Sequence, residues 1–95
     1  MSERYAVYML ASKRNGTLYI GVTGNLPQRV EQHTVGAVKG FTQKYRVKPL
    51  VWFERHADIR EAIAREKQLK GWNRAWKLKL IEAANPEWQE LYPSA

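Results

Sequence analysis

The chain contains no cysteine, and this absence excludes disulfide bonds and any site built on a thiolate. No apolar run approaches the ~18 residues that a membrane-spanning helix needs, so we expect no transmembrane segment. The first residues, Met1 to Arg4, show no signal-peptide pattern. These absences favour a protein of the reducing cytoplasm that has no membrane partner.

Acidic residues are also scarce. The 95 residues include 16 Lys and Arg against 9 Asp and Glu, which gives a net charge of +7 and predicts a polyanionic partner, nucleic acid first. Within residues 60–80, seven basic side chains face only Glu61 and Glu66, and Trp72 and Trp76 lie among them. This mixture suits phosphate contact with base stacking. The i,i+4 spacing of the two tryptophans favours the alternative, in which both pack into the core.

The hydrophobic content of 44% is that of an ordinary globular protein, and the length predicts one domain over residues 1–95. Alternation and helical periodicity predict a small α/β domain. We expect strands at residues 5–11, 18–23 and 50–55, and helices at about residues 26–33, 58–70 and 73–84. Asn25 and Asp58 are the expected N-caps of the first two helices. Residues 35–49 are expected to form a long basic loop.

Two tyrosines are expected on one face of the first hairpin. Asn15-Gly16 is a strong signal for a two-residue turn, which would place Tyr8 opposite Thr23. Because side chains alternate along a strand, Tyr8 and Tyr19 then share a face with Gly21. The sequence therefore predicts two phenols beside a residue that has no side chain.

The predicted helices add an arginine, an imidazole and a carboxylate to this set. Arg29 and His33 are spaced i,i+4 and project together. Glu66 falls near the middle of an otherwise apolar stripe, where a carboxylate must find a cation. It is either a metal ligand, a partner for an arginine, or one half of an ion pair with a neighbouring Lys or Arg at the core edge. The apolar positions of this stripe are Ile59, Ala62, Ile63 and Leu69.

The ordered set of these residues resembles the site of the GIY-YIG nuclease superfamily. The first half-motif reads Ala6-Val7-Tyr8 in place of Gly-Ile-Tyr, and the second is complete as Tyr19-Ile20-Gly21. The family's later site positions are matched by Arg29, His33, Glu66 and Asn85. The resemblance covers about residues 4 to 90. It is closest to the small stand-alone members described as excinuclease-like endonucleases.

This resemblance implies a three-stranded antiparallel sheet flanked by helices, and hydrolysis of DNA phosphodiester bonds through one divalent ion, Mg²⁺ or Mn²⁺. It implies that Glu66 binds the metal and that Arg29 holds the phosphate. Tyr8 would act as the base while Tyr19 orients water or phosphate, or the two roles are exchanged. His33 would position a tyrosine or contact phosphate, and Asn85 would brace the site.

The same resemblance suggests a substrate read through its structure or backbone, such as damaged or branched DNA, with RNA as an alternative. Phe41 and Tyr45 of the basic loop could stack on unpaired bases, although a plain surface loop is an equal interpretation. The expected nucleic-acid contacts are Gly21, Lys39, Lys44, Tyr45, Arg46, Lys67 and Lys70. A monomer or weak homodimer is expected. The alternatives are a binding module that does not cut, and a protein-interaction domain that uses the tail around Trp88 and Tyr92.

Overall fold

The computed structural model describes residues 3–34 and 49–92, and for residues 32–34 the backbone only. This part of the chain contains three strands and three helices, each close to its predicted bounds. They are β1 Tyr5–Ala11, β2 Leu18–Thr23, α1 Leu26–Thr34, β3 Leu50–His56, α2 Ile59–Gly71 and α3 Arg74–Ala84. Within the described ranges, no helix has the length and apolar character needed to cross a membrane.

The strands form one antiparallel sheet in the order β2-β1-β3. The central strand β1 is buried from Ala6 to Ala11, because helices cover both faces of the sheet. On one face, Leu26 and Val30 of α1 pack against Tyr8 and Leu10. The expected fold class, a small antiparallel sheet flanked by helices, is confirmed.

The opposite face of the sheet carries the main core. Val7 and Met9 of β1 pack there with Ala62 and Leu69 of α2 and with Ile81 of α3, and all five are fully buried. Leu18 and Val22 of β2 extend the same cluster. Since α1 and the pair α2–α3 lie on different faces, side chains from three helices can reach the sheet at once.

The connection between β1 and β2 is longer than predicted. The backbone N–H of Ser12 donates to the carbonyl oxygen of Thr17 at 3.0 Å, which leaves four residues in the turn rather than two. A two-residue type I′ turn needs positive φ at both central residues. Only Asn15 has it, at φ 59, whereas Gly16 does not.

This longer turn moves the register by two residues. Tyr8 pairs with Gly21 rather than with Thr23, and Leu10 pairs with Tyr19. Because side chains alternate with a period of two, a shift of two preserves the faces. The prediction that Tyr8, Tyr19 and Gly21 share a face is therefore confirmed, although the predicted pairing was wrong.

A distant helix holds the turn in this form. The guanidinium of Arg74, the first residue of α3, donates from Nη2 to the carbonyl oxygens of Asn15 at 2.6 Å and Gly16 at 2.8 Å. Both carbonyls belong to the dipeptide that was expected to form the tight turn. The contact spans nearly 60 residues of sequence, so local turn propensity could not reveal it.

The helices begin where the sequence indicates. The side-chain oxygen of Asn25 accepts from the N–H of Gln28 at 3.2 Å, and Asp58 accepts from Arg60 at 2.8 Å. Both predicted N-caps are thus confirmed. Asn73 caps α3 in the same way, accepting from the N–H of Trp76 at 2.9 Å.

The apolar stripe predicted for α2 is only half correct. Ala62 and Leu69 are fully buried, whereas Ile59 and Ile63 are 37% and 38% exposed. The helix is thus rotated from the predicted orientation, and Nε of Arg65 donates to Glu54 of β3 at 3.0 Å. One flank of α2 is thereby tied to β3.

Two aromatic residues predicted to be buried are exposed. Trp76 is 56% exposed. Trp72 caps the end of α2, whereas Trp76 belongs to α3, so the two tryptophans do not share a helix and the i,i+4 spacing does not place them on one face. Tyr92 is 82% exposed, whereas Trp88 is buried and Leu91 half-buried as expected of a tail packed on the body.

Candidate functional site

The site begins with a close approach between neighbouring strands. Tyr8 is 1% exposed, and its ring lies directly over Gly21 of β2. A Cβ atom at Gly21 would stand 2.5 Å from the hydroxyl oxygen of Tyr8 and 2.6 Å from its Cζ. Only glycine leaves room for the ring, so the glycine of the second half-motif determines where the first tyrosine points.

Tyr19 completes the pair of phenols. Its ring centroid lies 6.2 Å from that of Tyr8, with 39° between the ring planes, and the two side chains share a hydrogen bond. Tyr19 is half-buried, in contrast to Tyr8. The buried phenol is thus linked to one that has access to solvent.

Charged groups from two helices act on this pair. Burial raises the pKa of Tyr8 well above the ordinary value of a phenol, and the neighbouring Tyr19 raises it further. Arg29 of α1 opposes this rise, while the negative charge of Glu66 of α2 adds to it. Three residues singled out from the sequence, Tyr19, Arg29 and Glu66, therefore act on Tyr8, and each of the four comes from a different element.

The position of Glu66 follows from the rotation of α2. Arg65 is tied to β3, and the next residue lies about 100° further round the helix. The side chain of Glu66 is only 16% exposed, and its Oε2 lies 3.2 Å from Nζ of Lys70. The expected ion pair with a neighbouring lysine is thus present, and the carboxylate that forms it also acts on Tyr8.

The two α2 lysines expected to contact nucleic acid differ in their surroundings. Lys70 is engaged by Glu66, although its side chain remains 54% exposed. Lys67 is exposed on the same helix. Lys67 is therefore the more accessible of the two to an incoming phosphate.

The donor set around Glu66 fits one kind of metal. Across residues 3–34 and 49–92 there is no cluster of three or more His, Cys, Asp or Glu side chains that could hold an ion. Zinc sites use three or four protein ligands, whereas Mg²⁺ keeps several waters and takes one or two carboxylates together with substrate phosphates. A single carboxylate that is mostly buried but still 16% exposed is compatible with Mg²⁺ or Mn²⁺ held in this second way.

Asn85 has a clear local role. Its Nδ2 donates to the carbonyl oxygens of Val51 at 3.0 Å and Gln89 at 2.9 Å, and its Oδ1 accepts from the N–H of Gln89 at 3.0 Å. The residue is 5% exposed. Its amide thus fastens the C-terminal tail to β3.

Several predicted site residues fall outside the described part of the chain. They are the side chain of His33 and the loop residues Lys39, Phe41, Lys44, Tyr45 and Arg46. Their assignment stays a prediction from the sequence.

The sequence reasoning missed two side chains on the Tyr8 face. Phe53 of β3 pairs with Tyr8, and Arg55 pairs with Ala6 on the same face. The guanidinium carbon of Arg55 lies 5.4 Å from the centre of the Phe53 ring. The alternation of Phe53 and Arg55 along β3 was a signal that could have shown them together.

Known proteins similar to this chain share one domain type. The family of the GIY-YIG catalytic domain matches residues 4–79. A UPF0213 protein of Staphylococcus haemolyticus is 37% identical over 82 residues, which cover 86% of this chain and 98% of that protein. A UPF0213 protein of Oceanobacillus iheyensis is 32% identical over 87 residues, covering 92% and 100% of the two chains. No solved structure gives a significant match.

Proposed function

Because the chain belongs to the GIY-YIG nuclease superfamily and to its small stand-alone members, we propose that it is a divalent-metal-dependent endonuclease acting on DNA. The observation that carries the proposal is that Arg29 and Glu66 both act electrostatically on Tyr8, although the three residues come from three elements. Together they offer a cation for a phosphate, a carboxylate for a metal ion and a phenol for proton transfer, which are groups that phosphodiester hydrolysis can use.

Arg29 would bind the scissile phosphate. A guanidinium presents two parallel N–H groups that match two phosphate oxygens. Such a contact orients the substrate without reading its sequence. It therefore supports a substrate recognised by its structure or damage rather than by its bases.

Glu66 would hold the divalent ion. The ion, when bound, supplies charge stabilisation at the phosphate and at the leaving oxygen. Lys70 neutralises the carboxylate in its absence, at 3.2 Å. With an ion held by Glu66, Lys70 would no longer be needed as the partner of this carboxylate and could contact a neighbouring phosphate.

The environments of the two tyrosines favour the exchanged assignment of their roles. Tyr8 is buried and retains its proton, so it is suited to orient Tyr19 through their shared hydrogen bond. Tyr19 is half-buried, so water can reach it. We assign to Tyr19 the role of base: once its own phenolic proton has passed to solvent, the phenolate oxygen would take the proton from the attacking water. To Tyr8 we assign the positioning of Tyr19.

The proposal is tested by nicking of supercoiled plasmid and of branched DNA in Mg²⁺ or Mn²⁺. Glu66→Gln removes the charge but keeps the shape, and we expect cleavage to fall about 100-fold or more. Glu61→Gln is the matched control, because Glu61 is an exposed carboxylate on the same helix.

Salt-dependent DNA binding by both the native chain and Glu66→Gln, with no cutting by either, would contradict the proposal. The chain would then be a nucleic-acid-binding module on a nuclease fold. Equal cutting by both would show that Glu66 has no part in the reaction.

A further inference from the structure

The outer face of α3 carries an aromatic groove that the proposed reaction does not use. Trp76 is 56% exposed, and Lys79 lies exposed beside it. These residues line a shallow groove of about 490 Å³, together with Trp72, Leu80 and Ala83. The rings of Trp72 and Trp76 are perpendicular, with 5.8 Å between their centres, and form a corner.

Trp76 does not serve to attach α3 to the core. The residue that attaches α3 to the core is Ile81, which is fully buried, and it lies about 140° round the helix from Trp76. The guanidinium carbon of Arg65 lies over the Trp72 ring, 5.4 Å from its centre. The groove is therefore a preformed corner whose second wall, Trp76, remains open to solvent.

The charge around the groove indicates its occupant. Residues 67–81 include five Lys and Arg and no Asp or Glu. Arg74 is occupied by the β1–β2 turn, but Lys79 lines the groove itself. A flat aromatic surface edged by lysine suits a nucleobase with its phosphate.

The size of the groove disfavours a protein partner. A stable protein interface buries roughly 1,000 Å² or more in total. Here the groove is lined by five residues from one end of α2 and one side of α3, a small surface that one nucleotide can cover.

We propose that this groove binds one unpaired base of a single-stranded nucleic acid, with Trp76 stacking on the base and Lys79 contacting its phosphate. The inference rests on the proposed function only in taking nucleic acid as the partner. It adds to that function a substrate class, namely nucleic acid that carries an unpaired segment.

The test measures binding without cleavage. A single-stranded oligonucleotide and a blunt duplex of the same sequence and length are titrated in EDTA, with binding followed by anisotropy. We expect Trp76→Ala to weaken single-strand binding about tenfold, since stacking on one aromatic ring has roughly this effect. Duplex binding should change less than about twofold, because a paired base cannot enter the groove.

Two further variants make the test specific. Trp76→Phe keeps an aromatic ring and should retain most of the single-strand affinity. Tyr92→Ala removes an aromatic side chain that is 82% exposed on the tail, outside the groove, and should leave the affinity for both substrates unchanged. Tryptophan fluorescence should be quenched by the single strand in the native chain and much less in Trp76→Ala.

Unchanged single-strand affinity in Trp76→Ala would overturn the inference, as would an equal loss for duplex and single strand. Nuclease activity is a separate result. A chain that never cuts but loses single-strand binding in Trp76→Ala keeps the inference and loses the proposed function. If the native chain cuts DNA but Trp76→Ala binds the single strand normally, the proposed function is kept and the inference is lost.

Discussion

Gly21 is the residue on which the position of the Tyr8 ring depends. The ring of Tyr8 occupies the space where a side chain at residue 21 would stand, and burial leaves that ring no room to move. Close packing transmits even one added methyl group to its neighbours. The glycine is thus a steric requirement of the site rather than a flexible hinge.

We expect Gly21→Ala to lower the free energy of unfolding by about 1–3 kcal/mol, the usual cost of overpacking. Cleavage should fall as well, because Tyr8 must leave its position. Gly71→Ala is the matched control, since a Cβ there meets nothing within 4 Å. Urea unfolding of the three chains measures the difference, and equal stabilities would show that the Tyr8 ring yields easily.

The raised pKa of Tyr8 predicts a dependence of stability on alkaline pH. The folded chain holds this proton more tightly than the unfolded chain, in which a tyrosine loses it near pH 10. The stabilising contribution is therefore complete below about pH 10 and is lost as the pH rises further, toward the folded pKa.

Thermal unfolding at pH 8 and pH 11 in EDTA tests this expectation. From pH 8 to pH 11 the melting temperature of the native chain should fall further than that of Tyr8→Phe, which has no proton to lose at this position. The comparison removes the effect of the other tyrosines and of the lysines, because both chains contain them. A parallel loss in both would mean that Tyr8 titrates as it does in the unfolded chain.

Among the elements, α2 connects the fold to the chemistry. Its inner positions bury Ala62 and Leu69, Arg65 fixes one flank to β3, and Glu66 follows on the next position round the helix. The direction in which the carboxylate points thus follows from the packing of Ala62 and Leu69, together with the ion pair of Arg65.

The tail after α3 is the second element-scale feature. Its attachment to β3 rests on the buried amide of Asn85 and on the N–H of Leu91, which donates to the carbonyl oxygen of Leu50 at 2.8 Å. Trp88 packs into the core beside them. The tail therefore supports the strand that carries Phe53 and Arg55.

Asn85→Ala should lower the free energy of unfolding by about 1–3 kcal/mol, because it leaves buried main-chain groups without a partner. Gln89→Ala is the control, since only the main chain of Gln89 takes part in the hydrogen bonds with Asn85. We propose that Asn85 acts by positioning, so cleavage at low temperature should stay within a few-fold of the native rate. A complete loss of cleavage in a folded variant would indicate a direct part in the reaction.

At the scale of the whole molecule, the excess of positive charge should govern the encounter with DNA. A net charge of +7 on 95 residues gives a field that attracts a polyanion before any specific contact forms. The logarithm of the affinity should fall linearly with the logarithm of the salt concentration.

The slope of that plot separates a local contact from the general field. Lys67→Gln should weaken duplex binding and reduce the slope by about one, as expected for the loss of one phosphate contact. Lys13→Gln removes the same charge from the exposed β1–β2 turn and is the control. Equal slopes for the two variants would mean that only net charge matters.

The sequence alone determined the order and type of the elements, the caps at Asn25 and Asp58, and the common face of Tyr8, Tyr19 and Gly21. These features depend on periodicities of two and 3.6 residues and on hydrogen bonds between near neighbours, which are present in the sequence itself. The shared face survived an error in register because that error equalled one full strand period.

Only the tertiary structure decided the register of the hairpin, the burial of Tyr8, the pairing of Glu66 with Lys70, and the exposure of Trp76. The observed register is accompanied by the contact of Arg74 with the turn, and the orientation of α2 by the contact of Arg65 with Glu54. Side-chain pairs that are distant along the chain leave no periodic signal, because their energies depend on how whole elements pack. The fold was therefore predictable from local patterns, whereas the chemical environment of each site residue was set by the packing of elements against one another.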